Sequence, residues 1–162
     1  MKHVISVMVE NKFGVLAHVS GLFSARGFNI ASLAVGETED PTVSRMTIVV
    51  DGDERTLEQI KKQLNKLIDV IRVYDLTSTN FIDREMVLIK VKVNAKNRQD
   101  VIKIVETVGS YVDSVDANTL TVEAAGDQNK LTTLVELLKP FGIIEMVRTG
   151  RIAIAVDGKK GK

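Results

Sequence analysis

The chain has 162 residues, enough for one medium domain or two small ones of roughly 80 each. Hydrophobic residues make up 44% and charged residues 27%; Lys+Arg number 22 against 21 Asp+Glu, which leaves no basic field for nucleic acid and no acidic tail. Cysteine is absent, so a disulfide framework, a thiolate metal site and a cysteine nucleophile are excluded together. In chain order, the pattern predicts a strand over His3 to Val9, a helix over Val15 to Arg26 and a strand over Phe28 to Glu37. A turn at Asp40-Pro41 leads to a strand over Ser44 to Asp51, a helix over Glu54 to Leu67 and a strand over Val70 to Leu76. From Glu85 the order repeats: strand 86–94, helix 98–108, strand 111–116, a tight turn at Ala117-Asn118, strand 119–124, helix 128–139 and strand 143–149.

The helices rest on spacing. Val15, Leu16, Val19, Leu22 and Phe23 form one apolar face, and Leu57, Ile60, Leu64 and Leu67 another. Val101, Ile104, Val105 and Val108 repeat it, as do Leu131, Leu134, Val135 and Leu138. Two βαββαβ units follow, each a split βαβ of the ferredoxin-like kind, so the fold class is α+β. Residues 1–77 form the first domain, the polar stretch 78–84 a linker, 85–156 the second domain, and 157–162 a frayed, disordered tail. Right-handed crossovers place the first and third strands of each unit centrally, with both helices on one face. No secretory signal is visible and no apolar stretch approaches the roughly 20 residues that span a bilayer, so the expected setting is the cytoplasm, without a membrane partner.

The second predicted strand, "FNIASLAVG", is left at an edge and carries no Lys, Arg or Pro to discourage pairing. The simplest cover is the same strand of a second copy, which predicts a homodimer through the first domain. Cover by the linker or by the second domain is the alternative.

No catalytic constellation emerges. His3 and His18 lack partners at metal-ligand spacing and read as a strand-start and a helix-surface residue, so no metal site is expected. Ser20 and Ser24 have no neighbouring base and no nucleophile elbow. Glu37, Glu39 and Asp40 could bind a cation but read more simply as a solvated turn beside Pro41. No phosphate-binding glycine loop is present.

A binding role fits better. Asn11 to Gly14 precedes the first helix, whose leading N–H groups lack intrahelical partners and carry partial positive charge, a natural seat for a carboxylate. Gly14 lets a ligand approach the backbone. Asn11 and Asn29 can each offer a carbonyl to an ammonium group while their NH₂ donates elsewhere. Val15, Leu16 and Ile30 would line the space for a small branched side chain. The same residues also admit a purely structural account, with Asn11 capping the helix and Asn29 in a turn.

The stretch "ENKFGVLAHVSGLFSARGFNIASLAVGETEDPTVSRMTIVV" resembles the amino-terminal ACT domain of the small, regulatory subunits of acetolactate synthase (acetohydroxyacid synthase). The resemblance continues through "LEQIKKQLNKLIDVIRV" (57–73), "REMVLIKV" (84–91) and "EMVRTGRIAI" (145–154). It implies a non-catalytic partner of a thiamine-diphosphate enzyme that joins two pyruvates, or pyruvate and 2-oxobutyrate, on the route to branched-chain amino acids. Such a subunit raises the activity of the catalytic large subunit and confers feedback inhibition by valine. Thiamine diphosphate, Mg²⁺ and any FAD would belong to the large subunit, and none to this chain. The family binds valine where two ACT domains meet; Asn11, Gly14, Val15 and Leu16 would supply the loop, and Asn29 and Ile30 would come from the neighbouring chain. This sequence departs from the family pattern at Phe13, where most relatives have Pro, at His18 in place of a common Arg or Lys, and at Ala31. A free-standing amino-acid sensor acting on another enzyme or regulator is the alternative function; a small enzyme on this fold would need catalytic residues the sequence does not offer.

Overall fold

The computed structural model describes residues 1–157. Its elements are β1 (Lys2–Glu10), α1 (Val15–Ala25), β2 (Ile30–Glu37), β3 (Val43–Asp51), α2 (Glu54–Leu64) and β4 (Val70–Asp75). They are followed by β5 (Phe81–Lys92), α3 (Arg98–Thr107), β6 (Tyr111–Val115), β7 (Thr119–Gly126) and α4 (Gln128–Leu138). A 3₁₀ turn (Lys139–Phe141), β8 (Ile143–Arg148) and β9 (Ile152–Ala155) close the described chain. The first sheet runs β2-β3-β1-β4 and the second β6-β7-β5-β8, with neighbours along each path antiparallel; β9 also pairs with β5. Both are the split βαβ arrangement read from the sequence, with β2 at an outer edge.

Helix boundaries shift for local reasons. Asn65 ends α2 at Leu64, three residues before the expected stop, and Pro140 turns the end of α4 into a 3₁₀ turn. Gly27, at φ +68°, ends the α1 connection, so β2 begins at Ile30 rather than Phe28. On α1 the buried side chains are Val15, Val19, Leu22 and Phe23; Leu16 falls off this face and is 44% exposed. These four pack with Ile5, Val7, Val9, Met46, Ile48 and Val50 of the sheet and with Leu57, Ile60 and Leu64 of α2. The equivalent core of the second half gathers Val87, Ile89, Val91, Val101, Val105, Leu120, Val122, Leu131, Leu134 and Leu138.

The chain divides into two compact units that differ from the expected boundaries. Met1–Ile82 joins the described residues from Arg151 on, and Asp83–Gly150 forms the other unit. The stretch expected as a polar linker, 78–84, carries the start of β5. The strand β9, whose residues were expected within a second domain ending at 156, pairs with β5 and lays its alanines on the first sheet. The cause lies on the sheet face away from the helices. Val4 and Val49 alternate with Ile5 and Ile48, so both faces of β1 and β3 are apolar. Ala153 and Ala155 turn inward on Val4, Val49 and Leu76 beside Tyr74 and Phe81, and alanines let the strand lie close. The Ala153 N–H reaches the Thr47 hydroxyl at 3.3 Å, the Arg151 N–H reaches that of Ser32 at 2.9 Å, and the Val156 N–H bonds the Asn80 carbonyl at 2.9 Å. Ile152 and Ile154 face outward. Of the expected tail 157–162, Asp157 is described; 158–162 lie outside the described residues.

Candidate functional site

β1 delivers the chain to a loop that is held from one side. The Asn11 N–H donates to the Thr42 carbonyl at 2.8 Å. The Asn11 side-chain amide donates to Glu37 Oε1 at 3.1 Å and to the Pro41 carbonyl at 2.9 Å. The turn that supplies these acceptors is itself organised by Asp40. Its Oδ1 accepts from the Thr42 N–H at 2.9 Å and from the Thr42 hydroxyl at 2.7 Å, and the Thr38 hydroxyl bonds the Asp40 carbonyl at 3.0 Å. The Thr42 hydroxyl first, and its N–H second, hold the Asp40 carboxyl below the usual carboxylate range. The acidic turn that reads in the sequence as solvated is thus a cradle for Asn11.

Asn11 is therefore not the helix cap that the structural account of the sequence allowed. Gly14 stands at the N-cap with φ +83° and ψ −6°, a left-handed conformation open to glycine at little cost. No side chain caps α1 and no acidic residue stands in its first turn. By contrast, Asp53 accepts from the Thr56 N–H at 2.7 Å on α2, and Asp127 from the Lys130 N–H at 2.9 Å on α4. At α1 the Val15 N–H makes a long 3.5 Å contact with the Lys12 carbonyl, while helical geometry leaves the next two donors without intrahelical partners. The space in front is open: a Cβ built on Gly14 would meet nothing within 4 Å. Phe13 is fully exposed beside it, Leu16 is half exposed, and Val15 is buried beneath.

Asn11, Gly14, Val15 and Leu16 are thereby brought to one place. Asn29 and Ile30 are not. They follow the far end of α1, whose 11 residues span about 16 Å; Asn29 is exposed, and Ile30 is half-buried against the core. Glu37 and Pro41 were missed as site residues because their contacts with Asn11 span 26 and 30 positions. The Asp-Pro turn signal was their trace in the sequence. His3 is buried, its Nε2 3.0 Å from the Gly52 carbonyl, and His18 meets Asp69 on the surface at 3.1 Å. Among the described residues no group of three His, Asp or Glu side chains could hold a metal ion, and no helix is long and apolar enough to cross a membrane.

A split βαβ sheet with an outer second strand and a glycine-started, uncapped first helix defines an ACT-type protein. The AHAS small subunit-like ACT domain family matches residues 5–72, and the family described as small subunit of acetolactate synthase matches residues 84–157. The chain belongs to the acetolactate synthase small-subunit family. It is 44% identical over 160 residues to a probable acetolactate synthase small subunit of Archaeoglobus fulgidus, covering 99% of this chain and 100% of that one. It is 50% identical over 153 residues to the acetolactate synthase small subunit of Mycobacterium leprae, covering 94% and 90%. The crystal structure of the Thermotoga maritima acetolactate synthase small subunit superposes with a TM-score of 0.86 at 38% identity, covering 96% of this chain and 97% of that one.

Proposed function

We propose that this chain partners a thiamine-diphosphate-dependent acetolactate synthase catalytic subunit, raises its activity and confers feedback inhibition by valine. The observation that carries the effector role is the uncapped start of α1 at Gly14, with Asn11 alongside. The free N–H groups of the first turn would receive the valine carboxylate, and the Asn11 carbonyl its ammonium. Leu16 would offer an apolar wall. Asn29 and Ile30 stand too far along their own chain to contribute, so a second copy, paired along β2, would supply them and close the site. Thiamine diphosphate, Mg²⁺ and any FAD are assigned to the catalytic partner, whose chemistry this chain would modulate without touching the reacting atoms.

The test is an activity assay of purified catalytic subunit with and without this chain, titrated with valine, leucine and isoleucine. Activity should rise on adding the chain and fall again with valine. Valine binding without any effect on a catalytic subunit would favour a free-standing sensor instead.

A further inference from the structure

We infer that Glu37 is a positioning residue that turns Asn11 into a pure hydrogen-bond acceptor, so that the site takes an α-amino acid and rejects the matching 2-oxo acid. This rests on the effector reading of the Gly14 loop and adds its chemical selectivity.

A carbonyl oxygen can only accept, so the 2.9 Å contact with the Pro41 carbonyl requires the nitrogen end of the Asn11 amide to face it. The second N–H goes to Glu37 Oε1 at 3.1 Å. An asparagine amide has two N–H donors and no more, so both are spent. What Asn11 has left for a ligand is Oδ1, with lone pairs alone. Turning the amide over would set that oxygen against the Pro41 carbonyl and the Glu37 carboxylate at once, two acceptor–acceptor encounters. The backbone bond from Asn11 to Thr42 and the Asp40 bonds within the turn hold the acceptors in register.

An acceptor-only group pairs with an ammonium N–H and repels a ketone oxygen. A site that offers an acceptor where the substrate carries a donor discriminates against an analogue that lacks the donor, because here the acceptor would face the analogue's ketone oxygen. The carboxylate end cannot compensate, since amino and 2-oxo acids share it.

The experiment measures binding of L-valine, 3-methyl-2-oxobutanoate and isovalerate (which has no α-substituent) to the full-length unaltered chain and to Glu37→Ala and Glu37→Gln. The unaltered chain should bind valine at least a hundredfold tighter than the 2-oxo acid. Glu37→Ala should weaken valine about tenfold and narrow that ratio while leaving isovalerate within twofold. Glu37→Gln keeps an acceptor oxygen and should restore most of the ratio. A merely structural Glu37 would weaken all three ligands together, which overturns the inference, as does equal binding of valine and the 2-oxo acid by the unaltered chain. Failure of the unaltered chain to bind valine at all overturns the effector reading, and the inference with it.

Discussion

Replacing Gly14 by Asp separates the two things this glycine provides. The backbone sits at φ +83°, where an L-residue costs about 1–2 kcal/mol and Asp is among the better tolerated. The new Cβ meets nothing within 4 Å, so no clash adds to that strain and the fold should survive. The carboxylate, however, enters the space proposed for the effector's own carboxylate. Two such charges about 4 Å apart repel by about 1 kcal/mol in bulk water and about 4 kcal/mol at the effective dielectric of a protein surface. Affinity should therefore fall between about fivefold and about a thousandfold. Gly14→Asn carries the same backbone strain without the charge and serves as the control. Calorimetric titration of valine should find the Asp variant at least about fivefold weaker than the Asn variant, with the gap narrowing as salt rises. Equal affinities for valine in the two variants would refute the placement of the carboxylate at the start of α1.

Asn29→Ala and Gly14→Asp should each bind effector weakly as homodimers, but mixing them should recover about a quarter of the unaltered number of full-affinity sites, one in each mixed dimer; no recovery after confirmed exchange refutes a shared site. Ending the chain after Gly150 removes β9 and uncovers Val4, Val49 and Leu76, each worth up to about 1.5–3 kcal/mol of burial. Urea unfolding followed at the first unit should show a clearly lower midpoint, and an unchanged midpoint would mean β9 contributes nothing there. A fragment ending near Thr79 keeps the edge strand and the Gly14 loop but loses Phe81 and β9, so dimerisation of the first unit is tested with residues 1–82 joined to 151–157, which should sediment as a dimer; a folded monomer would refute pairing along β2. Because the folded Asp40 carboxyl is held low, its hold on Thr42 contributes above the ordinary carboxylate range and is lost as pH falls through the lower folded value. An NMR titration should place its midpoint below that of an unstructured Asp, and Thr42→Val should move it part-way back; an Asp40 midpoint in the ordinary range counts against the Asp40–Thr42 bonds.

The order of elements was legible because Val/Ile runs and helical spacings were strong in both halves, and the edge position of β2 followed from crossover handedness. Leu16 misled, since i, i+3 and i+4 spacing cannot tell a core residue from one just off the face. The placement of β9 was hidden by its own pattern: in Arg151-Ile-Ala-Ile-Ala155 the large side chains point outward and the alanines inward, the reverse of what burial by size would predict. The Gly14 loop was legible in its residue types, whereas the partners of Asn11 lie far along the chain and were recognisable just as turn formers. That both amide hydrogens of Asn11 are used is a fact of geometry that no local pattern carries.

Because β9 closes the first unit, that unit is assembled from the two ends of the described chain with the second unit strung between them. During synthesis its helix-side core can form early, but Val4 and Val49 stay uncovered until roughly 70 more residues have emerged. At ribosomal rates of about 5–20 residues per second that interval is about 4–14 s, long compared with the folding of a small domain. For that time the nascent chain presents a half-finished sheet with one wet apolar face and an open β2 edge. Any second copy caught within the same interval would present the same open β2 edge and the same uncovered face.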